Sequence, residues 1–184
     1  KNQGIAGRVT YAFKDTYFAE VNVGYNGSEN FARGHRFGFF PAVAAGWMVS
    51  HEKWFEPFTK TVDMLKLKGS YGKVGNDDIG GQRRWVYEST IVNSSDSWYY
   101  GKNGNDGGQG IRIGEVENLN ASWEEALKLN VGVEFSLFNK VKIQADYFRE
   151  ERTGIFLQRA GLPAIVGLST TPYVNVGETL NQGF

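Results

Sequence analysis

The chain has 184 residues, enough for one ordinary domain, and its 20 Lys and Arg balance its 20 Asp and Glu, so its charge gives no reason to expect a nucleic-acid partner. It contains 24 Gly, 15% aromatic residues and only four Pro, a composition typical of a turn-rich all-β protein. Cysteine is absent, which excludes a disulfide framework and cysteine-based metal or nucleophile chemistry. No run of about 18 apolar residues occurs, so we expect no transmembrane helix.

The first predicted hairpin comprises residues 5–13 and 17–25, joined by a tight turn at residues 14–16. In both strands the odd-numbered positions are mainly apolar, and polar residues are found at even-numbered ones. Because side chains alternate between the two sides of a strand, each strand has one apolar face. Residues 26–36 are polar and contain Gly, which predicts a longer loop.

Residues 37–47 form the third predicted strand, in which Pro41 indicates a bulge or an irregular edge. We expect a short helical turn capped by Ser50 to follow it. The fourth predicted strand is residues 64–71. In a strict alternation of short and long connections, the one at residues 49–63 would be short. It is long, which counts against such an alternation.

The stretch from residue 75 to about residue 121 is predicted to be largely irregular, with short-strand patterns at residues 84–92 and 111–116. It contains three consecutive aromatic residues within a segment rich in Gly, Asn, Asp and Ser. Aromatic rings on a loop can stack on a sugar or a peptide, or simply pack against neighbouring loops. The candidate substrate-binding residues are Trp98, Tyr99 and Tyr100.

The clearest alternation of apolar and polar residues lies at residues 127–137. A two-residue hairpin turn is predicted at residues 139–140, and residues 141–148 alternate again. A long loop at residues 152–172 and a last strand from Tyr173 complete the chain.

Repeated two-faced strands of about ten residues, joined by short and long connections in turn, are typical of the wall of a transmembrane β-barrel. A soluble β-sandwich also has alternating strands, but the uncharged apolar faces favour the membrane. Aromatic residues near strand ends are candidates for an interfacial belt: Tyr17, Phe18, Trp123, Tyr147 and Phe148. The polar positions predicted to face a barrel lumen are Lys128, Asn130, Glu134, Lys142, Gln144 and Asp146.

The sequence contains two histidines, His35 and His51, which flank the third predicted strand. A catalytic dyad or a zinc site needs histidines that converge with carboxylates, so we expect both to be loop or surface residues. The adjacent acidic pairs 124–125 and 150–151 point to opposite faces of a strand and cannot form an acid–base couple. These residues give no reason to expect an enzyme, a metal site or a cofactor.

Several blocks resemble, in order, the SusC/RagA-type TonB-dependent outer-membrane transporters. The resemblance rests on residues 39–47 (FFPAVAAGW) with Ser50, His51, Glu52 and Phe55; residues 65–76 (LKLKGSYGKVGN); residues 117–124 (ENLNASWE); residues 132–135 (GVEF), 146–148 (DYF) and Thr153; and residues 175–183 (NVGETLNQG). His51 departs from the family pattern, which has an acidic residue there.

The resemblance implies an all-β, antiparallel meander of about seven or eight strands, part of a barrel of about 22 strands. Residues 1–184 are then expected to be a fragment of the barrel domain without plug domain, TonB box or signal peptide. The intact protein would lie in the outer membrane and import an oligosaccharide or a peptide, with TonB and a SusD-like surface lipoprotein as partners. Two alternatives from other classes are a soluble carbohydrate-binding β-sandwich module and an outer-membrane barrel enzyme.

Overall fold

The computed structural model describes residues 2–80, 84–104, 106–138, 140–159, 161, 163 and 171–184, with residues 95–97 described by their backbone alone. The described chain contains nine strands: β1 (Asn2–Phe13), β2 (Tyr17–Ser28), β3 (Phe37–Met48), β4 (Val62–Asn76), β5 (Ile91–Tyr100), β6 (Asp106–Ile113), β7 (Glu124–Leu137), β8 (Val141–Gln158) and β9 (Tyr173–Gly183). Two short 3₁₀ helices, Val49–His51 and Lys53–Phe58, lie between β3 and β4. Among the described residues, no helix has the length and apolar character that crossing a membrane requires.

Seven of these strands form one antiparallel sheet in the order β1-β2-β3-β4-β7-β8-β9. Strands β5 and β6 form a separate two-stranded hairpin, inserted in the chain between β4 and β7. Each strand of the large sheet therefore pairs with the next one along the chain once this hairpin is set aside. The predicted all-β antiparallel meander is confirmed.

The pairing register places residues of the same predicted face opposite one another in neighbouring strands. Val21 lies opposite Val9 on one side and Val43 on the other, whereas Glu20 lies opposite Thr10 and Ala44. Directly opposed residues of an antiparallel pair lie on the same face. The odd-numbered positions of β1–β4, β7 and β8 therefore form one continuous surface, the apolar face, and the even-numbered positions form the polar face.

The connections also divide between the two ends of the sheet. The short-turn end carries residues 14–16, 49–61 and 138–140, and the long-loop end carries residues 29–36, 77–123 and 159–172. The first turn is tight because Lys14 and Asp15 both adopt left-handed backbone angles, with φ of 53° and 48°. Asn139 of the predicted two-residue turn lies outside the described residues, as do residues 160, 162 and 164–170 of the predicted long loop.

Three predictions about local structure outside the β5–β6 hairpin are wrong. Strand β8 continues to Gln158, so most of residues 152–158 are paired with β7 or β9 instead of opening a loop. Residues 84–90 are not a strand; Trp85 has a φ of 54° and its carbonyl accepts a hydrogen bond from the Glu88 amide, which closes a turn. Ser50 caps no helix, because the 3₁₀ helices are preceded by Met48 and Glu52 and neither has a side-chain cap.

The buried core lies at the long-loop end and not between two layers of sheet. It contains Phe31, Ile79, Val86 and Ala121, with Trp123 and Phe156 packed against it. Within the described residues no second sheet covers the apolar face, whose side chains include Ile5 at 77% exposure. A soluble β-sandwich buries this kind of surface between its sheets, so the structure does not favour that alternative.

Candidate functional site

The side chains predicted to line a lumen share the polar face. Glu134 on β7 lies opposite Gln144 on β8, and Gly132 lies opposite Asp146. All of the predicted positions are even-numbered and belong to these two strands: Lys128, Asn130, Glu134, Lys142, Gln144 and Asp146. The geometry places them together on one surface, and their contact with a lumen stays a prediction.

A charge cluster that the sequence did not reveal connects three strands of this face. The Lys68 ammonium on β4 lies 2.8 Å from Glu134 Oε1 and 3.0 Å from Asp146 Oδ1. Gln144 Nε2 donates a hydrogen bond of 2.7 Å to the other oxygen of Asp146. A β-carbon at Gly132 would overlap Asp146 and come within 2.6 Å of Lys68 Cε, so the glycine provides the space in which the ion pair forms.

A second polar group occupies the other half of the face. Arg8 pairs with Glu20 at 2.5 Å, and Asn22 Nδ2 donates a hydrogen bond of 2.6 Å to the same carboxylate. Between the two clusters lies a depression of about 490 Å³, bordered by Ala44 and Gly46 on β3. The small residues of β3 leave this space between longer polar side chains. The polar face therefore offers a concave surface of polar side chains, on which Glu20, Glu134 and Asp146 are already paired with cations.

Charged side chains also mark where the apolar face stops, towards the long-loop end. There Lys73 pairs with Glu125 at 2.5 Å and Arg149 pairs with Glu151 at 3.3 Å, all at odd-numbered positions. On the polar face the neighbouring Arg152 bridges Glu124 at 3.2 Å and Glu150 at 2.8 Å. The prediction that each adjacent acidic pair points to opposite faces is confirmed.

Aromatic residues mark the opposite limit of the apolar face, at the short-turn end. The Tyr17 ring stacks on Trp47 with centroids 6.4 Å apart and on Phe13 at 6.5 Å. Of the predicted belt residues, Tyr17 and Tyr147 lie on the apolar face. Phe18 and Phe148 do not, because their even-numbered positions place them on the polar face.

Trp123 is not a belt residue either, because it packs into the core of the long-loop end. Its ring centroid lies 5.7 Å from that of Phe31 and 5.2 Å from that of Phe40, and its Nε1 donates a hydrogen bond of 3.0 Å to the Arg36 carbonyl. Residues 29–36, β3 and the start of β7 are thereby joined at one point.

Two asparagines fix the bases of the long loops. The Asn175 side chain on β9 accepts a hydrogen bond of 3.1 Å from the Ser122 amide and donates to the carbonyls of Ser122 at 2.9 Å and Gly154 at 2.8 Å. Asn118 Nδ2 donates 2.9 Å to the Tyr173 carbonyl. Both asparagines belong to the blocks on which the family resemblance rests, and in this chain both hold backbone in place.

The aromatic trio lies on strand β5 of the hairpin, and the prediction that it belongs to an irregular loop is wrong. Trp98 lies opposite Gly108 and Tyr100 opposite Asp106, so these two rings share one face of the hairpin, whereas Tyr99 points to the other face. The exposed fraction is 74% for Trp98, 71% for Tyr99 and 63% for Tyr100. The three rings are accessible, but they do not form one surface.

The two histidines do not converge. His35 lies in the connection that precedes β3 and His51 in the first 3₁₀ helix after it, so a strand of 12 residues, roughly 40 Å long, separates them. His51 Nδ1 lies 2.8 Å from the Asp15 carbonyl. Among the described residues, no three His, Asp or Glu side chains are grouped in a way that could hold a metal ion.

No family model matches the chain, but several curated proteins and solved structures are similar to it over nearly its whole length. It is 28% identical over 181 residues to TonB-dependent receptor P3 of Formosa agariphila (98% of this chain, 17% of the relative) and 29% identical over 182 residues to TonB-dependent receptor P26 of the same organism (97% and 17%). It is 25% identical over 179 residues to TonB-dependent receptor SusC of Bacteroides thetaiotaomicron (96% and 17%). The chain thus spans about one sixth of the length of these curated relatives.

Two solved structures have the same fold over nearly the whole chain. The RagAB peptide importer in its 'closed-closed' state superposes with a TM-score of 0.80 at 22% identity, covering 98% of this chain and 18% of that one. The RagAB peptide transporter gives the same TM-score and identity, with 99% and 19% coverage. At this identity the likeness establishes the fold alone.

Proposed function

We propose, from its similarity over nearly its whole length to a segment of the SusC-like TonB-dependent receptors, that this chain is part of the wall of an outer-membrane nutrient transporter. Residues 1–184 would belong to the barrel domain of that protein. The intact transporter would import a bulky nutrient, an oligosaccharide or a peptide, by TonB-dependent gating of a plugged barrel. TonB and a SusD-like surface lipoprotein would be its partners.

The observation that carries this proposal is the continuous, exposed apolar face. On β7 its uncharged stretch runs from Leu127 to Leu137, ten residue intervals or roughly 33 Å along the strand. With a strand tilt of about 40° this corresponds to about 25 Å along the membrane normal, the height of the apolar band on outer-membrane barrels. Charged pairs limit this band at the long-loop end and stacked aromatic rings limit it at the short-turn end.

The chemistry of the chain fits a wall and not a catalyst. The proteins that it matches are named receptors, importers and transporters. The carboxylates of the polar face are held by Lys68, Arg8 and Arg152, which leaves a hydrated surface suited to a lumen. Gating and energy transfer would be the work of other parts of the intact protein.

The exposed rings of the β5–β6 hairpin are the best candidates for contact with the nutrient. Trp98 and Tyr100 lie two residues apart on one face of β5, and glycine occupies the position opposite Trp98. Two flat rings beside an open backbone can stack on sugar rings or on peptide side chains. The hairpin projects from the long-loop end, where a surface lipoprotein would cap the barrel.

Spin labels in the intact transporter test the wall assignment. Labels at Val131 and Val133 are expected to be accessible to oxygen in the bilayer and protected from a water-soluble nickel complex, with the reverse at Lys128 and Asn130. Gly132 is unsuitable for a label, because any side chain there would collide with Asp146 and Lys68. Equal accessibility at all four positions would refute the proposal.

A further inference from the structure

The 3₁₀ helix at the short-turn end is amphipathic. A 3₁₀ helix has about three residues per turn, so residues i and i+3 lie on the same line along its surface. In Lys53–Phe58 one line carries Lys53 and Glu56, a second carries Trp54 and Pro57, and a third carries Phe55 and Phe58. Two thirds of the surface of this helix is apolar, and one third is charged.

The aromatic residues of this helix form a cluster that is only partly covered. Phe55 is buried, and its ring centroid lies 5.8 Å from those of both Trp54 and Phe58. The two outer rings are each 59% exposed. Phe55 is thus shielded from water, whereas Trp54 and Phe58 present a large apolar area that water does not favour.

The helix begins at the level where the apolar face ends. Glu52, the residue before it, accepts hydrogen bonds at one carboxylate oxygen from the Tyr17 hydroxyl at 2.5 Å and from Trp47 Nε1 at 3.2 Å. Tyr17 and Trp47 are the stacked rings that close the apolar face at this end. The helix that carries Trp54 and Phe58 therefore starts beside the surface that the proposed function places in lipid.

We propose that Trp54 and Phe58 bind the headgroup region of the membrane leaflet at the short-turn end, so that this helix anchors the wall at a fixed depth. Indole and phenyl rings favour this region because it accommodates both apolar and polar groups. Lys53 and Glu56 would then face water. This inference rests on the proposed function, because it takes the apolar face as the lipid-contacting surface.

The charges of the connection identify the kind of lipid. Between Val49 and Asp63 the side chains of Lys53 and Lys60 are outnumbered by those of Glu52, Glu56 and Asp63. A surface that binds anionic lipid carries an excess of positive charge. The connection has none, so a zwitterionic phospholipid interface is the partner that fits.

Environment-sensitive fluorescent labels at single positions of the intact transporter test this inference. Labels at positions 54 and 58 are compared with labels at the matched positions 53 and 56, in bilayers of phosphatidylcholine with and without phosphatidylglycerol. We expect headgroup-level spin-labelled lipid to quench labels at 54 and 58 several-fold more strongly than those at 53 and 56, and aqueous iodide to show the opposite order. Adding phosphatidylglycerol is expected to change neither result.

Three outcomes would overturn the inference. Iodide could quench all four labels alike, which would place the helix in water. Labels at 54 and 58 could be shielded from both quenchers, which would indicate a protein partner, or lipid quenching could require phosphatidylglycerol. A label at Val131 in the same bilayers separates the two proposals, because lipid contact there without lipid contact at position 54 removes the anchor and leaves the wall assignment intact.

Discussion

Lys68 and Asp146 form an ion pair of 3.0 Å although their strands are not neighbours. Strand β7 lies between β4 and β8, and its Gly132 lies opposite both Lys68 and Asp146. Any larger residue would occupy the space that the two side chains share. The absence of a side chain at Gly132 thus allows the ion pair to connect β4 with β8 across β7.

Replacing Gly132 by Ala is expected to destabilise the intact transporter by about 1–3 kcal/mol, because the new methyl group overpacks a buried position and separates the ion pair. The measurement is the midpoint of thermal unfolding in detergent. Gly69→Ala is the matched control on β4, since a β-carbon there would meet only the Asn130 carbonyl at 3.8 Å. Equal midpoints for the two variants would show that the space at Gly132 does not matter.

Lys68→Met removes the cation shared by Glu134 and Asp146 and leaves two half-buried carboxylates without their partner. We expect a lower unfolding midpoint, with a smaller change than for a fully buried pair because all three side chains retain contact with water. The neighbouring polar-face variant Lys66→Met should lose less. The comparison uses unfolding midpoints at low and high salt, and a smaller difference between the two variants at high salt is expected. If Lys66→Met is the more damaging change, the cluster is not centred on Lys68.

The two faces of the sheet could be predicted from the sequence, whereas the charge cluster could not. Alternation fixes which side of a strand each residue occupies, and this local rule placed the residues of β7 and β8 correctly. The meeting of Lys68 with Asp146 depends on the register of three strands, which no single strand encodes. The belt prediction for Trp123 fails for a related reason, because its partners Phe31 and Phe40 are distant in sequence.

Asn175→Asp is expected to loosen the base of the long loops. The aspartate keeps the oxygen that accepts from the Ser122 amide but replaces the donor to the carbonyls of Ser122 and Gly154 by a second acceptor. The loss of about 1–2 kcal/mol should raise amide hydrogen exchange in residues 117–123 roughly tenfold. Asn181→Asp, at an exposed position of the same strand, is the control and should leave exchange there unchanged. Unaltered exchange in residues 117–123 of the Asn175→Asp variant would show that these hydrogen bonds do not hold the base of the loops.

Most of the β5–β6 hairpin could not be predicted from the sequence, because the short-strand patterns at residues 84–92 and 111–116 coincide with β5 and β6 only at residues 91–92 and 111–113. Strand β6 contains Gly107, Gly108 and Gly110, so it lacks the alternation by which the other strands were found. Only its pairing with β5 makes both segments extended. The sequence identified Trp98, Tyr99 and Tyr100 as candidates, but their division between two faces follows from that pairing.

This division gives a sharper test of nutrient binding than replacing all three rings together. The double variant Trp98→Ala/Tyr100→Ala removes the two rings of one hairpin face, and we expect it to weaken nutrient binding by the intact transporter about tenfold or more, since each stacked ring contributes on the order of 1 kcal/mol. Tyr99→Ala removes a ring of similar exposure from the opposite face and should leave affinity nearly unchanged. Affinity is measured by calorimetry on the purified transporter. An equal loss in both variants would point to a general disturbance of the hairpin, and an affinity unchanged in the double variant would exclude Trp98 and Tyr100 from the binding site.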